Sequence, residues 1–284
     1  FFKYLGRTTN RQTLYLWYLG TRYTDRNHPW HYCAVLFLTT VPIGLQALGG
    51  VGVFAGRTRM RFARHEQLVL GAMLFPLCLF SIPRVAVYDG ARLFLVAFPL
   101  WAIFIGRGGS LAWDWLRRRV SRRGALAIAT LLLAAQSWGL VAVWPCFLSS
   151  YNLAVGGLSG AQRLGFELDY WGASLTRDLL ERMAEKVPEG AEIDCAPVLH
   201  DFQLDEMLKQ SPVLRRRGIR LHPYDAGQPR HSGYLLIFCR LADLSPELQT
   251  LISERTPLVE IRRSGVLLSG LYDLNAASGA QPAE

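Results

Sequence analysis

With 284 residues, 51% of them hydrophobic and a formal net charge of +9, the chain has the basicity of a nucleic-acid binder without its charge distribution. Ten of the basic residues fall in two clusters between apolar stretches: Arg57, Arg59, Arg61 and Arg64, then Arg107, Arg117, Arg118, Arg119, Arg122 and Arg123. From Phe147 onward about 14 basic side chains stand against about 18 acidic ones, so the C-terminal half is mildly acidic. This excludes nucleic-acid binding and makes the arginines topology determinants and contacts for anionic lipid headgroups.

Residues 1–31 read as an outer-face interfacial segment. Phe1, Phe2, Tyr4, Tyr15, Trp17, Tyr18, Tyr23, Trp30 and Tyr32 supply rings of the kind that sit at a headgroup boundary. With no initiating Met and no membrane helix before Tyr32, the chain is expected to be a C-terminal fragment.

Residues 32–146 form the expected transmembrane region, with spans at about 32–55, 67–88, 91–106 and 124–146. Each approaches the roughly 20 residues needed to cross a hydrocarbon core of about 30 Å, the third being the shortest. Pro42, Pro76 and Pro99 lie inside these runs, which membrane helices tolerate better than soluble ones. The two arginine loops then face the cytoplasm, and the turn from Pro83 to Gly90 lies outside. The fold class expected is an α-helical polytopic membrane region of about four transmembrane helices, followed by a small soluble α/β domain. Gly52 and Gly56 add a GxxxG helix-contact signal, common by chance.

The extracytoplasmic α/β domain is placed at 147–274, with a disordered tail at 275–284. It opens on glycine- and aromatic-rich segments, Tyr151 to Gly160 and Gly165 to Gly172, whose glycines imply positive φ or close backbone approach. The periodicity predicts a helix over 174–186, a strand over 191–198, a helix over 201–217, and strands over 219–223 and 234–239. Ser245-Pro246-Glu247 reads as a helix start. A hairpin is predicted around Arg263-Ser264-Gly265.

Other chemistries leave little trace. Gly157-Leu158-Ser159-Gly160-Ala161 misses the nucleophile elbow at its last position, and Gly49-Gly50-Val51-Gly52 lacks the Lys and Ser or Thr of a phosphate loop. His28, His31, His65, His200, His222 and His231 never adopt metal-ligand spacing, and no cofactor is indicated. Cys33, Cys78 and Cys146 fall in membrane stretches; Cys195 and Cys239 either pair in an oxidising compartment or remain buried thiols.

Three ordered segments carry a resemblance. Tyr18-Leu19-Gly20-Thr21-Arg22-Tyr23 with His28-Pro29-Trp30-His31-Tyr32 comes first, then Tyr88-Asp89-Gly90-Ala91-Arg92-Leu93-Phe94 with Pro99. The third runs from Tyr151-Asn152 through Gly165-Phe166-Glu167 to Tyr170-Trp171-Gly172. Together they resemble bacterial family-39 membrane glycosyltransferases, the protein O-mannosyltransferase type with the GT-C fold. The chain departs from that pattern at Cys33, where a Pro is expected, and at Leu93, where a His is common. The family's catalytic Asp or Asp-Glu pair belongs to a first outer loop with no counterpart among these residues, so no catalytic residue is assigned and the piece is expected to be inactive alone.

The resemblance implies inverting transfer of a sugar from a polyprenyl-phosphate carrier to an acceptor on the outer face of the bacterial cytoplasmic membrane. The lipid bilayer and the carrier-linked sugar are the implied partners, with the acceptor left open. Such a site needs a fixed cation for the lipid phosphate, which makes Arg92, then Arg84, the phosphate candidates. Both also fit as interfacial anchors. Trp30, His31, Tyr88 and Asp89 are candidates to line the carrier or sugar path, with interfacial anchoring or pairing with an arginine as the plainer roles. Glu167, Tyr170 and Trp171 are acceptor-side candidates, or packing residues. The alternative function is a non-catalytic membrane protein, a transporter component or envelope assembly factor, with an exported sensing or interaction domain.

Overall fold

The computed structural model describes residues 13–59, 64–198 and 201–275. Phe1, Phe2, Tyr4, Arg61, His200 and the tail from residue 276 lie outside them. The chain divides into two compact units, one within Phe1–Val141 and Tyr151–Phe166, the other within Ala142–Ser150 and Glu167–Glu284.

The first unit opens with an antiparallel hairpin, β1 (Tyr15–Tyr18) and β2 (Thr21–Thr24). Leu19 and Gly20 form its two-residue turn at φ 49° and 75°, the left-handed pair whose twist matches the flanking strands. Tyr18 is buried, with its ring edge-on to Tyr32 at 5.1 Å and to Phe166 at 5.7 Å. A segment expected to lie along an interface thus has its own tertiary packing.

Helices α1 (Tyr32–Thr40) and α2 (Ile43–Arg59) follow, then α3 (Arg64–Leu79), α4 (Ala97–Arg117), α5 (Arg122–Ala142) and the short α6 (Gly157–Arg163). The break between α1 and α2 has a local cause. Pro42 has no N–H to donate and pushes Val41 to an extended ψ of 135°. The carbonyls freed there are recovered by Asn152, whose Nδ2 donates to Leu38 at 2.7 Å and to Val41 at 2.6 Å. Helices α2 and α4 approach closely through glycine: a Cβ on Gly52 would collide with the carbonyl oxygen of Phe104, and one on Gly108 with that of Leu48.

The expectation of about four transmembrane helices is overturned. Among the described residues one helix, α5, is long and apolar enough to cross a bilayer. A second span exists only if α1 and the Ile43–Phe54 part of α2, bent by 110°, count as one. Three physical reasons account for the difference. Pro42 cuts the first stretch into unequal pieces. The second begins on Arg64, His65 and Glu66 and loses its helix at Leu79, well before Tyr88. The third forms a 3-10 turn over Arg92–Phe94, and its helix runs on through Arg107, Asp114 and Arg117. The molecule is a mixed α/β fold in which apolar helices occupy part of one unit.

The second unit is built on a five-stranded sheet of order β4–β3–β5–β7–β6, with β3 (Glu192–Ala196), β4 (Arg220–Pro223), β5 (Tyr234–Phe238), β6 (Val259–Arg263) and β7 (Val266–Asp273). β3 runs parallel to both β4 and β5, with Asp194 opposite His222 and Leu235, while β7 is antiparallel to β5 and β6. Its helices are α7 (Arg177–Lys186), α8 (Phe202–Gln210), α9 (Pro212–Arg216) and α10 (Pro246–Glu254). Sequence reading expects one helix over 201–217; Ser211 and Pro212 divide it, since a residue before proline is kept out of the helical region. The Ser245 hydroxyl caps α10 by accepting from Leu248 N–H at 3.3 Å.

Alternation along the strands sorts the two faces. Ala196, Leu235 and Ile237 pack with Leu244, Leu248 and Tyr272 on the face covered by α10. Phe238 has the opposite parity and shares a cavity with Leu204 and Met207 of α8. Cys195 and Cys239 are buried free thiols.

Candidate functional site

Each unit contributes one constellation. In the first, the chain leaves α3 and crosses a non-helical stretch tied down by its backbone. The Phe80 carbonyl accepts from His28 Nε2 at 2.8 Å, and Val87 N–H donates to the Asp25 carbonyl at 2.7 Å. Asp89 and Gly90 then take left-handed φ values of 56° and 63°, and the 3-10 turn sinks Phe94 into the core, stacked 6.4 Å from Phe98.

That turn brings three of the expected residues together. Arg92 Nη1 lies 3.3 Å from Asp89 Oδ2, and its guanidinium carbon is 6.0 Å from the centroid of the Tyr88 ring. The Asp89 side chain is only 10% exposed while that of Arg92 is 54% exposed, so a mostly covered carboxylate positions a cation that reaches solvent. An ion pair this exposed adds about 0–1 kcal/mol to stability; its effect is orientation. Arg84 is exposed, at φ 72°, in the preceding turn, and makes no ion pair among the described residues.

Trp30 and His31 sit at the start of α1. The indole is 71% exposed, and His31 Nδ1 is 2.8 Å from the Tyr18 hydroxyl, so His31 is held by the hairpin. The two rings contact each other edge-on at 5.5 Å.

In the second unit the acceptor-side trio separates. Glu167 is buried, and its carboxylate accepts the backbone N–H groups of Leu168 at 3.1 Å, Leu241 at 2.7 Å and Ala242 at 3.0 Å. Burial pushes its pKa up to about 8, against the pull of those donors and of the nearby Arg240. Asp169, also buried, binds the Ser174 hydroxyl at 2.5 Å, and burial raises it to about 6. Both carboxyls brace the segment that carries Tyr170, half-buried, and Trp171, 51% exposed at φ 57°.

Trp171 borders a cleft of about 520 Å³ that sequence reasoning missed. The cleft lies where β3 and β5 end side by side. β3 continues through α8 and α9 on one face of the sheet, β5 through α10 on the other, so a crevice opens between them, as at the switch points where α/β sheets bind ligands. Pro197 and Val198 from the end of β3 and Phe238 and Arg240 from the end of β5 line it. Arg177 and Arg216 contribute further cations, Glu181 one carboxylate. Arg240 is itself nearly buried and ion-paired with Asp243. The sequence signals for this site were Trp171 and the β-α-β pattern, which places strand ends without saying which strands adjoin.

Elsewhere in this unit, His231 Nδ1 meets the buried carboxylate of Asp194 at 2.9 Å, and its ring stacks on His222 with centroids 4.1 Å apart. No group of three or more His, Cys, Asp or Glu suited to a metal ion occurs among the described residues. Compared with known protein families, curated proteins and solved structures, the chain gives no match.

Proposed function

We propose that the chain acts in an integral-membrane glycosyltransferase that moves a sugar from a polyprenyl-phosphate carrier to an acceptor outside the cytoplasmic membrane, with inversion. The observation that carries this reading is the Asp89–Arg92 turn. A guanidinium held by a largely covered carboxylate presents planar donors suited to a phosphate oxygen pair, and a leaving lipid phosphate needs a fixed cation of that kind. Helix α5, apolar and exposed along most of its length, supports contact with a bilayer.

The test is sugar transfer from a polyprenyl-phosphate donor by the full-length membrane protein. Arg92→Ala is expected to cut transfer at least tenfold and raise the KM for the lipid donor, with Arg92→Lys recovering part of it. Unchanged transfer by Arg92→Ala sinks the assignment.

A non-catalytic membrane protein with an exported binding domain is the second reading. It is favoured by the cleft of the second unit, which contains none of the Arg92 turn. Absence of transfer by the intact protein, with ligand binding in that cleft retained, would decide for it.

A further inference from the structure

We propose that the cleft at the ends of β3 and β5 is a binding site for an anionic saccharide, a sugar bearing a phosphate or carboxylate group. Four observations carry this beyond the reading above and independently of Arg92. The cleft occupies the sheet's switch point, where side chains from both faces converge on one crevice. Its volume of about 520 Å³ suits a mono- or disaccharide. Its cations, Arg177, Arg216 and Arg240, outnumber its one carboxylate, Glu181. Glu181 is engaged by Arg177 at 2.7 Å, whereas Arg216 is exposed and makes no ion pair among the described residues.

Trp171 supplies the remaining element. Its backbone is left-handed at φ 57°, a conformation that costs a bulky residue roughly 1–3 kcal/mol and persists where the surroundings impose it. The buried Glu167 and Asp169, with their backbone and Ser174 partners, supply that imposition four and two residues upstream. The result is a half-exposed indole at the rim of a cationic cleft. An indole face packs against the C–H face of a pyranose, Gln203 and Gln210 offer amides to its hydroxyls, and Arg216 takes the anionic substituent. A purely apolar ligand would desolvate Arg216 without giving it a partner, and a bare anion would leave the indole unused.

Titration calorimetry of the full chain in detergent, with glucose 6-phosphate, galacturonate, glucose and inorganic phosphate as probes, tests this. At least one of the two anionic sugars is expected to bind tenfold or more tightly than both glucose and inorganic phosphate. Which one binds identifies phosphate or carboxylate as the recognised group. Arg216→Ala and Trp171→Ala are each expected to weaken that binding at least tenfold while leaving the thermal midpoint within a few degrees, and Arg92→Ala is expected to leave it unchanged. The proposal is overturned if neither anionic sugar binds, if inorganic phosphate binds as well as the sugar phosphate, or if either cleft variant binds like the parent. Because Arg92 is absent from the cleft, loss of the transferase reading would leave this result standing.

Discussion

Glu167 accepts the backbone N–H of Leu241 at 2.7 Å, joining two segments 74 residues apart through a single buried carboxyl. Burial raises its pKa from an ordinary 4.5 to about 8, so over that interval the folded chain holds a proton that the unfolded chain has released. Stability from this group is therefore full below about pH 4.5 and declines as pH rises through about 8. Asp169, raised to about 6, acts at lower pH, so the range from pH 7 to 9 reports mainly on Glu167. The thermal midpoint of the full chain should fall across that range. Glu167→Gln should flatten the decline, and at pH 7 it should cost about 1–3 kcal/mol, because its amide nitrogen cannot accept from a backbone N–H. An undiminished slope in the variant would falsify the assignment.

The crossing of α2 and α4 depends on the absence of side chains at Gly52 and Gly108. Gly108→Val places a branched side chain against the Leu48 carbonyl and should destabilise the first unit by about 1–3 kcal/mol or more. Gly106 on the same helix has open space where a Cβ would go, so Gly106→Ala should be neutral or stabilising by roughly 0.5–1 kcal/mol. Limited proteolysis of the two variants side by side measures the contrast; equal resistance would mean that the helices do not meet there.

Asp89 orients Arg92 and adds little to stability. Asp89→Asn keeps a residue that tolerates φ 56° and removes the charge. The variant should unfold within about 1 kcal/mol of the parent while, on the proposed transferase reading, the KM for a polyprenyl-phosphate sugar rises several-fold. A large loss of stability with an unaltered KM would make the pair structural.

Helix α10 starts on a serine hydroxyl, and Ser245→Ala should cost about 1 kcal/mol, with Ser245→Asp restoring most of it. Chemical denaturation with a probe in the second unit reads the difference.

Local chemistry was legible wherever neighbours in sequence settle it. The Ser245 cap, the Ser264-Gly265 turn with φ values of 47° and 79°, and the amphipathic face of α7 all depend on residues within a few positions. Trp171 stands out in the sequence as a large aromatic beside glycine in a polar half, and the structure places it at the edge of the cleft. The Tyr88–Asp89–Arg92 grouping was legible because the three residues lie within one turn of chain.

Only tertiary structure decided how many apolar runs become long continuous helices and where the cleft of the second unit lies. Hydropathy averages over a window, but whether α1 continues into α2 depends on Pro42 and on Asn152, more than 100 residues away, accepting the cost of the break by capping it. The convergence of Arg177, Arg216 and Arg240 on one crevice depends on β3 lying between β4 and β5, an order set by long-range pairing. Periodicity records which face of an element is apolar, and only packing records which elements meet.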